Sequence, residues 1–249
     1  MKPEEIRVEG LQKRFRTANG HDFVAIDNLD FEIKAGETVA IVGRTGCGKS
    51  TFLNILIGLE EPSAGRLLIG GKTPYGDFDR LRGKMATVFQ QDRLMPWRSA
   101  LDNVTLGLEI LGCSRAEQTE RAELWLNRLG LGGHLHAFPH ELSGGMRQRV
   151  ALARGFALQP GILIADEAFG HLDEITAKTL REIFSSLIRE QGNTGVVVTH
   201  QLEEAMELGD RVLVFGRPAR LRADIPLAKL TQAQRQGLRA EIQNMLKED

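Results

Sequence analysis

Residues 38–59 read TVAIVGRTGCGKSTFLNILIGL: an apolar run, a glycine-rich turn carrying one lysine, then a helical pattern. An unbroken apolar run, as opposed to an alternating one, suits a strand covered on both faces, as in a parallel sheet. Residues 43–51, GRTGCGKST, fit G-x-x-x-x-G-K-[ST], with the strand before and the helix after that this pattern needs. Gly43, Gly46 and Gly48 let the backbone curl until successive N–H groups face one phosphate, and the following helix adds its positive N-terminal end. Lys49 is expected to neutralise the β- and γ-phosphates of a nucleotide, and the Ser50 hydroxyl to hold Mg²⁺. Arg44, Thr45, Cys47 and Thr51 belong to the same cradle, Cys47 as a passive member rather than a redox group.

Composition bounds what surrounds this loop. The chain has 249 residues, and its 42% hydrophobic content is ample for a packed core. Lys and Arg (32) nearly balance Asp and Glu (33), so no global field favours nucleic acid or an anionic membrane, and any anion site must be local. Cys47 and Cys113 stand far apart without paired spacing, which argues against a disulfide framework or a zinc site and fits a reducing compartment. The charged start, MKPEEIRVEG, lacks the apolar stretch of a secretory signal, and no run approaches the roughly 20 apolar residues of a membrane span. Cytoplasm is the default, and at a membrane another chain would have to supply the span.

Outward from the loop, FVAIDNLDFEI alternates before a break at Ala35-Gly36, which predicts antiparallel strands leading into the buried one. Apolar strands of the buried type recur at 85–89, 161–165, 195–200 and 211–215, with helical patterns between several of them, as in a parallel α/β core. The stretch between 85–89 and 161–165 is too long for a simple crossover, so residues 91–158 read as an inserted helical subdomain. Residues 1–90 and 159–226 then form a nucleotide-binding core, and 227–249 a short terminal helix. In that helix Thr231 and Gln234 have capping-box spacing and Leu238, Ile242 and Met245 form an apolar stripe.

The strand ILIADEAFGHLD (162–173) ends on adjacent carboxylates, Asp166 and Glu167. Alone, such a pair reads as a solvated loop entrance. Neighbouring strand residues point to opposite faces, so the two serve one pocket only if the chain turns there. Beside a phosphate loop the pair divides in role: Asp166 supports Mg²⁺ and Glu167 acts as general base on the attacking water.

Residues 142–150, LSGGMRQRV, place a Ser and two glycines at the start of a helix, a second anion-binding N-terminus. Here the chain resembles the ATP-binding subunits of ABC transporters, whose signature is LSGGQ, with Met146 in place of the Gln. The resemblance runs from about residue 5 to 216. It implies an α/β fold: a RecA-like P-loop NTPase core with an antiparallel β subdomain and an inserted α-helical subdomain. It further implies an ATPase, converting ATP and water to ADP and phosphate, in which two copies meet head to tail and the signature of one caps the ATP of the other. Ser143, Gly144 and Gly145 would then face the partner's γ-phosphate. TVFQQD resembles the Q-loop, so Gln90 would reach Mg²⁺ and the reactive water; VVVTH makes His200 the switch histidine. GHLDE resembles the D-loop, putting Asp173 at the dimer contact, and LQKRF offers Phe15 for stacking on adenine.

VFQQDRLMPWRSALDNV, ELSGGMRQRVALARG, DEAFGHLDEIT and GRPAR look most like the nitrate, sulfonate and taurine importer branch. The implied partners are two permease subunits and, indirectly, an extracytoplasmic solute-binding protein, with this chain peripheral on the cytoplasmic face of the plasma (inner) membrane. The short tail argues against feedback by the solute through this subunit. RLMPWRSALDNV is expected to expose Leu94, Met95 and Trp97 beside a Pro, where a permease segment could dock, the alternative being a local packing cluster. His134, His136 and His140 match no common zinc spacing and read as loop residues. Two departures stand out: Ala168 where the family usually has Pro, which loosens the backbone beside Glu167, and His171 where it has a small residue, which could tune dimer closure between about pH 6 and 7. The rival class is a soluble ABC ATPase acting on nucleic acid or ribosomes, against which stand the balanced charge and the lack of a coiled-coil insertion or second cassette. A nucleotide switch that does not turn over is disfavoured by an intact Glu167 and His200.

Overall fold

The computed structural model describes residues 2–16, 22–170, 172–227, 230 and 232–247, and the structural statements below concern these. In chain order the first elements are β1 (Ile6–Arg16), β2 (Asp22–Ile33), β3 (Thr38–Gly43), α1 (Lys49–Leu56), β4 (Ala64–Ile69) and α2 (Phe78–Leu81). They are followed by β5 (Met85–Phe89), α3 (Ala100–Ile110), α4 (Arg115–Arg128), α5 (Gly144–Ala157), β6 (Ile162–Asp166) and α6 (Glu174–Gln191). The last are β7 (Thr194–Thr199), α7 (Leu202–Leu208), β8 (Arg211–Phe215), β9 (Leu221–Pro226) and α8 (Gln232–Lys247). They group into two compact units, Arg82–Asn193 and Glu4–Leu81 with Thr194–Asp249.

In the latter unit β3 pairs in parallel with β7 on one side and β8 on the other, Ala40 facing Val197 and Val212. Every residue of β3 is buried, which is why its sequence is apolar throughout. β9 adds antiparallel to β8. The alternating segment forms as expected: β2 and β4 flank β1, both antiparallel, in the order β2-β1-β4. Gly36, at φ 80°, turns the chain from β2 into β3, a left-handed conformation that glycine adopts without steric cost. Phe31, Phe52 and Phe215 meet with ring centroids 5.6–6.1 Å apart, knitting β2, α1 and β8 into one core. In α8 Ile242 is buried, Leu238 and Met245 are half-buried, and Arg239 pairs with Glu203 at 2.5 Å. Thr231, the expected cap, lies outside the described residues, as does His171.

In the unit Arg82–Asn193, β5 and β6 pair in parallel, with Phe89 opposite Asp166 at their ends. Helices α3, α4 and α5 pack on one another, and Trp125 stacks on Phe156 (5.0 Å), which meets Phe184 (6.4 Å), itself against Phe169 (5.6 Å). The helix starts are set by short polar caps: Ser99, Ser114, Ser143 and Asp173 accept from the N–H groups of Asp102, Glu117, Met146 and Thr176, one of the donors that each helix start leaves unpaired. Among the described residues no helix is long and apolar enough to cross a membrane.

The apolar run at 94–97 corrects the expectation. Trp97 is 72% exposed, but Leu94 is buried and Met95 half-buried. The cause is Asn103, fully buried on α3: its Oδ1 accepts from the Met95 N–H at 2.7 Å, and its amide donates towards the carbonyls of Met95, Arg98 and Ser99 at 3.0–3.2 Å. That fastening ties the segment after Leu94 back to α3.

Candidate functional site

The phosphate-loop motif sits between β3 and α1. Gly48 caps α1 at φ 112°, and a Cβ there would stand 2.4 Å from the Ala25 carbonyl oxygen and 2.8 Å from the Ala219 Cβ. Gly46 takes φ 77° with nothing within 4 Å of a Cβ, so its backbone alone demands glycine. A Cβ on Gly43 would lie 2.6 Å from the Cys47 sulfur and 2.9 Å from the Phe215 carbonyl oxygen. Lys49 is buried, and its ammonium donates to the carbonyls of Gly43 (2.5 Å) and Arg44 (3.1 Å), bracing the loop that carries it. Cys47 is also buried, its sulfur 4.0 Å from the Lys49 Nζ, a packing role. Arg44, Thr45, Gly46 and Ser50 are exposed, so this part of the loop is open to solvent.

His200 follows β7 directly and is exposed. Behind it the Thr199 hydroxyl donates to Glu204 (2.9 Å) and accepts from the Gln201 N–H (3.0 Å), which fixes the turn. Gly43, Arg44, Thr45 and His200 share a cavity of about 350 Å³ with Leu246 of α8. Phe15 lies half-buried near the end of β1, with the Lys13 ammonium 4.9 Å from its ring centroid and Lys13 held by Glu60 at 2.5 Å. A base stacking on Phe15 would have to use the ring face away from that cation.

In the other unit Asp166 ends β6 and Glu167 turns the chain into the left-handed region at φ 48°. This is the turn that two adjacent carboxylates need if they are to serve one pocket. Both are half-exposed, whereas Ala168 is buried and its carbonyl accepts from the Gln148 amide at 2.7 Å. Gln90, just past β5, shares a cavity of about 430 Å³ with Asp92, Gly144, Arg147, Gln148 and Ala168. Arg147 pairs with Asp92 at 3.0 Å, and Arg154 donates to the carbonyls of Asp92 (2.7 Å) and Arg93 (2.9 Å). Burial pulls the Arg154 guanidinium below the usual arginine range, and the Asp92 charge opposes that shift.

Ser143 caps α5, its oxygen accepting from the Met146 N–H at 3.3 Å, which leaves the hydroxyl its own proton to donate. A Cβ on Gly145 would lie 2.7 Å from the Thr176 methyl, so this glycine lets α5 pass close to α6. Asp173 is exposed and caps α6. The Thr176 N–H bond, then a side-chain bond to Thr176, lower its carboxyl below the ordinary value.

The family described as ABC transporter matches residues 26–170, more than half of the chain and the span that contains the phosphate loop, the signature and the carboxylate pair. The chain belongs to the ABC transporter family. It is 40% identical to the nitrate transport protein NasD of Klebsiella oxytoca over 86% of this chain and 81% of that one. It is 42% identical to the taurine import ATP-binding protein TauB of Pseudomonas aeruginosa over 80% and 75%. A solved dimeric ATP-binding cassette in a post-hydrolysis state, bound to ADP and Pi, superposes with a TM-score of 0.78 at 32% identity, covering 89% of this chain and 98% of that chain. This ABC transporter chain is therefore an ATP-binding, ATP-hydrolysing cassette of the P-loop α/β fold.

Sequence reasoning on this ABC cassette missed the side chains that brace the candidate residues: Gln148, Arg147, Arg154, Asp92 and Asn103. One signal was available. Gln148 heads the i, i+4, i+8 stripe completed by the buried Leu152 and Phe156, and a polar amide on an apolar stripe has to find partners.

Proposed function

We propose that this chain energises a binding-protein-dependent importer of small anionic solutes, of the nitrate, sulfonate or taurine kind. Two copies would work head to tail beneath two permease subunits on the cytoplasmic face of the membrane. The observation that carries this reading is the likeness, at 40% and 42% identity over most of the chain, to relatives named for nitrate transport and taurine import. The same names speak against a soluble member acting on nucleic acid or ribosomes.

In this reading residues 1–90 and 159–226 form the nucleotide-binding core, 91–158 the helical subdomain that meets the permease, and 227–249 a terminal helix. The backbone N–H groups of residues 43–51 hold the phosphates, Lys49 adds charge, and Phe15 stacks on the adenine. Ser50, Gln90 and Asp166 would hold Mg²⁺; a hydroxyl, an amide oxygen and a carboxylate are the hard oxygen donors that ion takes, alongside water and phosphate. When bound with nucleotide the ion neutralises charge developing on the transferred phosphoryl group. Glu167 takes a proton from the attacking water, and His200 contacts the γ-phosphate oxygens. Ser143, Gly144 and Gly145 offer hydroxyl and N–H donors to the partner's nucleotide, and Asp173 sits at the dimer contact. ATP drives transport because it binds the closed dimer more tightly than the open one.

The test is Glu167→Gln. Turnover should fall about 100-fold or more, while ATP remains bound and a dimer accumulates in size-exclusion chromatography. Undiminished turnover would remove Glu167 from the role of base. Co-isolation of the wild-type chain with permease subunits from membranes, and uptake of labelled taurine or nitrate lost in Glu167→Gln cells, would test the importer assignment separately.

A further inference from the structure

Gln148 lies one turn into α5, between the candidate signature and the helix body, and its side chain is buried. Its amide nitrogen donates to the Phe89 carbonyl at 3.1 Å and to the Ala168 carbonyl at 2.7 Å. Both partners are pure acceptors, so only the nitrogen of the amide can face them and its orientation follows from chemistry. The two carbonyls lie at neighbouring strand ends, Phe89 as the last residue of β5 and Ala168 two residues past the end of β6. Phe89 and Asp166 are opposite one another at the ends of β5 and β6, where the ladder stops. Gln90 leaves directly after Phe89, and Ala168 follows Glu167.

We propose that Gln148 is a positioning residue for ATP hydrolysis. Its amide fixes the peptide before Gln90 and the one after Ala168, so that the base and the Q-loop glutamine keep one separation. This rests on the reading of Glu167 as base and of Gln90 at the metal and water.

Three observations converge on it. Glu167 occupies φ 48°, a conformation that a residue with a side chain keeps only where its surroundings over-determine it. A proline at 168 would stiffen this turn through its ring; this chain has Ala168, and the restraint comes instead from a hydrogen bond supplied by another element. The segment after Gln90 is fastened to the same helix by the Arg147–Asp92 pair and by the Arg154 bonds to the carbonyls of Asp92 and Arg93. A movement of α5 therefore carries the Q-loop start and the Glu167 turn together.

The experiment measures turnover of the purified full chain against Mg-ATP concentration. Gln148→Met keeps length and burial but removes both donors; it should lower kcat about 10- to 100-fold, the cost of a misplacement near 1 Å. KM should stay within about 3-fold, since only the transition state loses stabilisation. Gln148→Glu keeps the shape; the charges that share its cavity are Arg147, paired with Asp92, and Arg93, held over the Phe89 ring, and burial against two carbonyl oxygens favours the protonated form, which donates one bond. Its deficit should therefore shrink as the pH is lowered from about 8 to about 6, while that of Gln148→Met stays flat relative to wild type. Adding Gln148→Met to Glu167→Gln should lower residual turnover no further, because residues acting as a unit are not additive.

Wild-type kcat in Gln148→Met, a rise in KM at constant kcat, or a multiplicative loss in the double variant would each overturn the proposal. If Gln148→Met fails to fold, as thermal unfolding would reveal, the pH-dependent recovery of Gln148→Glu decides, and a flat profile there overturns it. Undiminished turnover of Glu167→Gln alone would instead sink the assignment of the base, a different outcome from any of these.

Discussion

Alanine at Gly48 and at Gly46 separates two reasons for glycine within one loop. At Gly48, φ 112° strains any side-chain-bearing residue, and the new Cβ would stand 2.4 Å from the Ala25 carbonyl oxygen and 2.8 Å from the Ala219 Cβ. Neither neighbour is the free end of a flexible side chain, so β2 or the 216–220 turn has to move. Backbone strain of about 1–3 kcal/mol and overpacking of about 1–3 kcal/mol act together. Alanine recovers only about 0.4–1 kcal/mol by restricting the unfolded chain. The net destabilisation is roughly 1–5.6 kcal/mol, against a total stability of about 5–15 kcal/mol, and lowers Tm by about 2–22 °C in a chain of this size. At Gly46 only the left-handed backbone is at stake, about 1–2 kcal/mol; less the same gain of about 0.4–1 kcal/mol, the net loss is at most about 1.6 kcal/mol and Tm falls by no more than about 6 °C. Differential scanning calorimetry of the nucleotide-free full chain measures both. Equal losses from Gly46→Ala and Gly48→Ala, or a Gly48→Ala protein melting with wild type, would refute the steric reasoning.

Two further perturbations test local devices. Asn103→Ala removes the side-chain bonds to the loop at 95–99 and leaves the Met95 N–H and the Arg98 carbonyl without a partner, since the Met95 and Ser99 carbonyls keep the N–H groups of Arg98 and Asn103. It costs about 1–3 kcal/mol; amide exchange at Met95 should speed up selectively, and unchanged protection there would contradict the role given to Asn103. Asp173 has its carboxyl pulled below the ordinary value by the Thr176 N–H, so the cap stabilises the fold above the unfolded-state carboxyl pKa and loses that contribution as pH falls through the folded-state value. The Tm gap between wild type and Asp173→Ala is thus widest near neutrality and closes in acid, and a gap independent of pH would show that the carboxylate is not what caps α6.

The core was legible where one physical requirement governs a whole stretch. Full burial on both faces demanded the apolar β3, left-handed backbone demanded Gly46 and Gly48, and strand alternation demanded a turn if Asp166 and Glu167 were to cooperate. The strands β4 and β9 were not anticipated, and their burial explains why. Only Leu67 and Ile69 are buried in β4, and β9 alternates between half-buried and exposed positions, so neither carries the apolar signal of a central strand. Leu94 was misjudged because hydrophobicity beside a proline does not say which way a loop folds; Asn103, eight to nine residues on, decides that through main-chain bonds invisible in a pattern of polar and apolar letters. Gln148 escaped for a related reason, since its partners are backbone carbonyls and any residue could have supplied them.

The placement of the two tryptophans, the full complement of the chain, decides what intrinsic fluorescence can report. Trp125 is stacked on Phe156 in a buried cluster and Trp97 is exposed to water, and both belong to the unit Arg82–Asn193. Emission therefore has a blue component reporting the interior of that unit and a red, iodide-quenchable one reporting the 94–99 loop. The unit that carries the phosphate loop is optically silent at tryptophan wavelengths. A melt followed by fluorescence alone would pass over local loosening around Gly48, whereas calorimetry or circular dichroism registers it, and divergence between the two probes would itself measure how far the units unfold apart.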